Sequence, residues 1–111
     1  MSKYHNTRVT LDGITFDSKA EARRYGELKL MHEAGVICNL RTHPRYTLLD
    51  PFECSGVKYR GISYEGDFEY VENGVTICED VKGKVTAVFA LKKKLFINRY
   101  GESIQLRVLE A

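Results

Sequence analysis

Asp67, then twelve residues, then Asp80-Val81-Lys82 is the spacing in this chain with the most chemistry in it. Between the two aspartates lies Asn73-Gly74, a dipeptide favoured in two-residue type I′ hairpin loops because both positions need positive φ. With that loop, Glu72 faces Val75 and every facing pair of positions sums to 147, so the sequence predicts Asp67 directly opposite Asp80. Counting outward from the hydrogen-bonded Glu72–Val75 pair, 67–80 is a non-hydrogen-bonded pair with Cβ atoms about 4.5–5.5 Å apart. Two carboxylates at that spacing repel. A hard divalent cation such as Mg²⁺, which takes carboxylate oxygens, relieves the conflict. Side chains alternate along a strand, so Asp80 and Lys82 share one face while Glu79 turns away with Ile77 and Val81. A cross-strand charge pair on a solvated face accounts for Lys82 but not for two facing aspartates.

Glu21 has two readings. Ser18 opens a predicted helix and Glu21 follows three residues later, an S-x-x-E capping box that by itself explains a glutamate there. At about 100° per residue, Glu21 also lies about 20° from Leu28 and about 40° from Tyr25, near the inward face. A carboxylate leaning toward the sheet needs a partner, which a cation at Asp67 and Asp80 supplies. On a second helix, Lys92 falls among Val88, Phe89, Leu95 and Phe96, either snorkelling off an apolar stripe or reaching the edge of the site. Lys93 and Lys94 turn away, toward solvent or a nucleic-acid backbone. Phosphodiester hydrolysis suits this set: it needs a water brought toward hydroxide and positive charge for the transition state, which a carboxylate-held metal and a lysine supply. No Ser-His-Asp, Cys-His or Gly-rich phosphate loop supports a rival mechanism.

The elements that must position these residues follow from local signals. Val9 to Phe16 alternates around Asp12-Gly13 as a hairpin. The first helix runs from Ser18 to about Ala34, with Gly35 as its stop. Tyr46 to Leu49 reads as a strand ending at Asp50-Pro51. Ile62 to Val71 and Val75 to Lys82 form the Asn73-Gly74 hairpin. Thr86 to Tyr100 is the second helix, and Ser103 to Leu109 a closing strand. The expected order is hairpin, helix, three strands, helix, strand: an α/β domain around one sheet.

With 111 residues, the chain supports one domain, residues 1–111, with one core. Apolar residues at 43%, with 11% aromatics, are ordinary for a globular fold and argue against intrinsic disorder. No apolar run approaches the ~18 residues of a membrane span and the N-terminus has no signal-peptide core, so a cytoplasmic protein is expected. Cys38, Cys54 and Cys78 are odd in number and form no C-x-x-C pair, and His5, His32 and His43 lack metal spacing with them, which disfavours disulfides or structural zinc. The net charge of +2 decides little, but its distribution is informative. Six acidic residues and no basic one fall between Ile62 and Val81, and six basic residues and no acidic one between Lys82 and Tyr100. These are either two solvated faces or a cation site beside a polyanion site.

Asp67 and Asp80-Val81-Lys82, with an acidic residue on a preceding helix, resemble the PD-(D/E)XK nuclease superfamily. The strings FDSKAEARRY, YEGDFEY, EDVKG and ALKKKLF look like one compact phage and prophage branch, similar to phage Holliday-junction resolvases and transposase-associated endonucleases. The resemblance covers about Val9 to Leu109. It implies a restriction-endonuclease-like αβββαβ core: a mixed four-stranded sheet flanked by helices, preceded here by the N-terminal hairpin. Asp67 and Asp80 would be Mg²⁺ ligands, with Mn²⁺ as a substitute. Glu21 would be a further ligand, direct or through water, and the Val81 carbonyl another. Lys82 would position or activate the attacking water. Two departures stand out: Gly66 precedes Asp67 where the family's name has Pro, and the second acid is Asp80 rather than Glu. The expected activity is a Mg²⁺-dependent, phage-encoded DNA endonuclease that resolves Holliday junctions as a homodimer on branched DNA, without organic cofactor. A nicking or site-specific endonuclease of phage replication or packaging, and a non-catalytic nucleic-acid-binding module, are the alternatives. Lys84, Lys93, Lys94, Arg23 and Arg24 are candidates for DNA phosphates, as are Lys3, Arg8, Arg41 and Arg45.

Overall fold

The structure, a computed structural model, describes residues 7–111; Lys3 and His5 lie outside the described residues. The chain opens on the expected hairpin, β1 (Val9–Leu11) and β2 (Ile14–Phe16), whose Asp12 and Gly13 both take positive φ. Helix α1 (Lys19–Glu33) begins where Ser18 Oγ accepts the Glu21 amide at 3.2 Å. It stops in a Schellman motif: Gly35 turns left-handed at φ +78°, its amide bonds the His32 carbonyl, and the Val36 amide bonds Met31.

Strand β3 (Ile37–Thr42) follows, then β4 (Arg45–Leu49), β5 (Phe52–Cys54), β6 (Val57–Tyr59), β7 (Ile62–Glu65), β8 (Phe68–Glu72) and β9 (Val75–Lys82). Helix α2 (Ala87–Tyr100) is capped by Thr86 Oγ1 on the Phe89 amide, and β10 (Ile104–Glu110) ends the fold. One mixed sheet has the order β10-β9-β8-β3, with β9 parallel to β10 and antiparallel to β8, and β8 antiparallel to β3. The αβββαβ order around a mixed four-stranded sheet is therefore observed, as is the preceding hairpin.

Two corrections concern which residues fill that order. The first strand of the sheet is Ile37–Thr42, not Tyr46–Leu49, which instead pairs with β7 in a separate two-stranded ribbon. The expected single strand from Ile62 to Val71 is two strands broken at Gly66-Asp67. The first half lies on β4 and the second in the main sheet.

The sheet has a core on each face. Phe16, Tyr25, Leu28, Ile37, Phe68, Tyr70 and Ile77 form one with α1; Tyr46, Leu48, Tyr64, Cys78, Phe89 and Phe96 form the other with α2 and the β4–β7 ribbon. Strand β9 feeds both, Ile77 to one face and Cys78 to the other, as a period of two requires. Asp80 and Glu79 inherit those opposite faces.

Candidate active site

The Asn73-Gly74 turn forms as predicted, with φ of 52° and 78°, and sets the register from Glu72↔Val75 to Phe68↔Glu79. At the next position the register breaks. Phe68 is the partner of Glu79, yet the Asp67 amide also donates to the Glu79 carbonyl, at 3.0 Å. Two residues of one strand thus meet one of the other, the arrangement of a β-bulge, which bends the strand and re-aims a side chain. Asp67 is therefore not the ladder partner of Asp80. The bulge is pinned from the far side by the His43 amide on the Asp67 carbonyl and the Gly66 amide on the Pro44 carbonyl, both at 2.9 Å. Gly66 has no room for a side chain: a Cβ there would lie 2.7 Å from Cys78 Sγ.

The bulge still brings the acids together. Asp67 Oδ2 accepts the Val81 amide at 2.6 Å, and its carboxyl group is near enough to Asp80 and Glu21 to feel their charges. Asp80 is fully buried; its Oδ2 accepts the Tyr64 hydroxyl and stands 3.4 Å from Lys82 Nζ. Lys82 lies over the Phe89 ring, 4.5 Å from its centroid. Glu21, buried on α1, completes the cluster, so its capping-box position and its inward lean hold at once.

Electrostatics reflect the crowding. Burial, reinforced by Asp80 and then Glu21, pushes the Asp67 carboxyl up to about 9 against the opposing pull of the Val81 amide. Burial likewise raises Glu21, with Asp17 and Asp80 adding to it and Asp67 and His43 working against it. Burial and the bond to Asp80 raise the Tyr64 phenol. A cavity of about 610 Å³ opens beside the cluster, lined by Ser18, Glu21, Val81, Lys84 and Thr86 among others.

Glu21, Asp67, Asp80, Val81 and Lys82 are thus gathered at one place, with Lys84 at its rim. The other candidates are not. Lys92 lines a shallow groove with Ile62, Ser63 and Leu95 on the β7 side of α2, and Lys93 lines another between α2 and β10. Lys94 is exposed, as is Arg23 on α1. Arg24 is a correction. Expected to face phosphates, its guanidinium is instead committed to the buried Glu79, at 2.6 and 2.9 Å, and to Glu27 at 2.9 Å. Two neighbours of the acids were not anticipated: Tyr64, whose hydroxyl bonds Asp80, and His43, whose amide bonds the Asp67 carbonyl. Neither carries a spacing signal, because the bulge and the β4–β7 ribbon that place them depend on tertiary packing.

Asp67, Asp80 and Glu21 are hard oxygen donors of the kind Mg²⁺ and Mn²⁺ select, and their crowding favours a cation among them. The donor set fits such an ion chemically. In the side-chain conformations of the structure, though, no group of three or more His, Cys, Asp or Glu residues among the described residues is arranged to hold a metal. Also among the described residues, no helix is long and apolar enough to cross a membrane.

Residues 1–110 match the family model described as "Protein of unknown function (DUF1064)". Neither the curated proteins nor the solved structures contain a significant match to the chain.

Proposed function

The chain belongs to the DUF1064 family, and from its carboxylate cluster we propose that it is a Mg²⁺-dependent DNA endonuclease acting on branched DNA. The observation that carries this reading is the placing of two carboxylates and a lysine around one end of β9, Asp67 bonded to the Val81 amide and Asp80 3.4 Å from Lys82 Nζ, with Glu21 lining the adjoining cavity beside Val81. These three acids, with the Val81 carbonyl as a further oxygen, would hold the ion. When bound, Mg²⁺ supplies Lewis-acid polarisation of a phosphate oxygen and a lowered pKa for water.

The chain's own residues supply the rest. Tyr64 and Lys82 both engage Asp80 Oδ2, which fixes the direction of its carboxylate. The Val81 amide does the same for Asp67. Lys82, kept upright against Phe89, places a positive charge where the scissile phosphate gains negative charge, and donates to the water that attacks it. Lys84, at the mouth of the cavity, meets the phosphate backbone.

The structure-selective, Holliday-junction-resolving form is the specific reading, carried out by a homodimer in the host cytoplasm, since cutting two strands symmetrically needs two sites. The test is cleavage of a synthetic four-way junction beside a linear duplex with the same arms, in Mg²⁺ and in EDTA. Cleavage of the junction alone, abolished by EDTA, is expected. Equal cleavage of both substrates would replace the resolvase with a nicking or site-specific endonuclease, and no cleavage of either would leave a binding module.

A further inference from the structure

Glu79 is the most deeply buried charged residue near the site, and the proposed chemistry does not use it. Its carboxylate accepts three hydrogen bonds: Arg24 Nε at 2.6 Å, Arg24 Nη2 at 2.9 Å and the Tyr70 hydroxyl at 2.5 Å. Arg107 supports Tyr70 in turn, at 3.0 Å, and pairs with Glu72 at 3.4 Å. The guanidinium fork makes a bidentate pair, the geometry with the tightest directional control among ion pairs.

The placement of this pair matters more than its strength. Arg24 lies one helical turn beyond Glu21 on α1, while Glu79 immediately precedes Asp80 on β9. The main-chain carbonyl of Glu79 also accepts the Asp67 amide at the bulge. One residue therefore ties the helix that carries Glu21, by its side chain, and the strand end that carries Asp67, by its backbone, to the strand that carries Asp80. Apolar packing of Ala22, Tyr25 and Leu28 holds α1 against the sheet, but such contacts are non-directional and permit small shifts along the sheet. A buried ion pair is a poor source of net stability, since well-packed apolar residues often replace one without loss. Its directional bonds, however, fix register.

We propose that the Arg24–Glu79 pair is a positioning clamp that sets Glu21 on α1 against Asp67 and Asp80, so that the three acids take a divalent cation together. The inference rests on the metal-site reading above and names what holds its geometry. Neither Arg24 nor Glu79 is among the proposed ligands; both act through the placement of Glu21.

The experiment replaces both members at once, Arg24→Met with Glu79→Met, which leaves no unpaired charge in the core. Thermal melting in EDTA, Mn²⁺ binding by calorimetry without DNA, and kcat and KM on a four-way junction are measured beside wild type. The expected result is a melting temperature within a few degrees of wild type, Mn²⁺ affinity weaker by tenfold or more, and kcat lower by tenfold or more at unchanged KM. A folded double variant with wild-type Mn²⁺ affinity and kcat overturns the clamp and leaves the nuclease reading intact. Wild-type protein that neither binds Mn²⁺ nor cuts overturns the reading and the clamp with it. Should the double variant melt far lower, Arg24→Lys carries the test, because it keeps the charge and gives up the fork. It should fold and lose metal affinity by several-fold; wild-type affinity in that variant would equally overturn the clamp.

Discussion

Replacing Asp67 by Asn should stabilise the metal-free protein at pH 7 and remove much of its pH dependence. The Asp67 carboxyl is pushed up to about 9 in the folded chain by burial and by Asp80 and Glu21, against about 3.9 in an unfolded chain. A carboxyl whose folded pKa is raised makes no difference to stability below its unfolded pKa, where both states are protonated. As pH rises from there toward 9, the unfolded chain gains the free energy of ionisation and the folded chain does not, so stability is lost throughout that window. The loss is about 1.4 kcal/mol per pH unit at most, or about 3 kcal/mol between pH 5 and pH 7. In a domain of this size that corresponds to about 10 °C in melting temperature. Asn keeps the oxygen that accepts the Val81 amide, and adds an N–H₂ for the neighbouring acids. The assay is urea or thermal unfolding in EDTA at pH 5, 6 and 7 for wild type and Asp67→Asn, comparing the difference between the two proteins so that contributions common to both cancel. The advantage of Asp67→Asn should grow with each pH step. A variant less stable than wild type at pH 7, with the same pH slope, would refute the crowding of acids at the bulge.

Further outcomes follow from the same geometry. Mn²⁺ at a hundredfold excess over its dissociation constant should stabilise wild type by about 2.7 kcal/mol, read as a rise of about ten degrees in a thermal melt; no rise at any concentration would argue against a cation among the three acids. Gly66→Ala should cost about 1–3 kcal/mol by urea unfolding, because the new Cβ would lie 2.7 Å from Cys78 Sγ, and an unaffected stability would mean the bulge can shift freely. Glu79→Gln should cost about 3 kcal/mol or more, since it breaks a buried bidentate pair and leaves Arg24 short of its partner. A cost below about 1 kcal/mol would show that solvent reaches Arg24 easily.

Local signals made most of the fold legible. Asp12-Gly13 and Asn73-Gly74 name their turns because only such residues take the required positive φ cheaply, and Ser18 and Thr86 name their helix starts by capping them. Strand Ile37–Thr42 escaped because the alternation that reveals strands is interrupted. Asn39 sits at φ +56° inside a bulge between Cys38 and Arg41, so the inward residues Ile37 and Leu40 are three apart rather than two. The β5–β6 hairpin turns at Ser55-Gly56 and carries Phe52, Val57 and Tyr59 exposed, so no buried face announced it. At the site, the residue types and the alternation of Glu79 and Asp80 were readable from position alone. The bulge at Asp67 was not, because it arises from His43 and Pro44 gripping the strand from outside the hairpin. Nor was the partner of Glu79, which stands 55 residues away on α1.

The central claim, that Asp67, Asp80, Glu21 and Lys82 form a phosphodiester-cleaving site, is tested most directly by single-turnover cleavage of a labelled four-way junction in Mg²⁺, with junction binding measured in parallel. Wild type should cut, while Asp80→Asn and Lys82→Ala should each lose activity by orders of magnitude and still bind the junction. Cleavage at the wild-type rate by either variant would contradict the account.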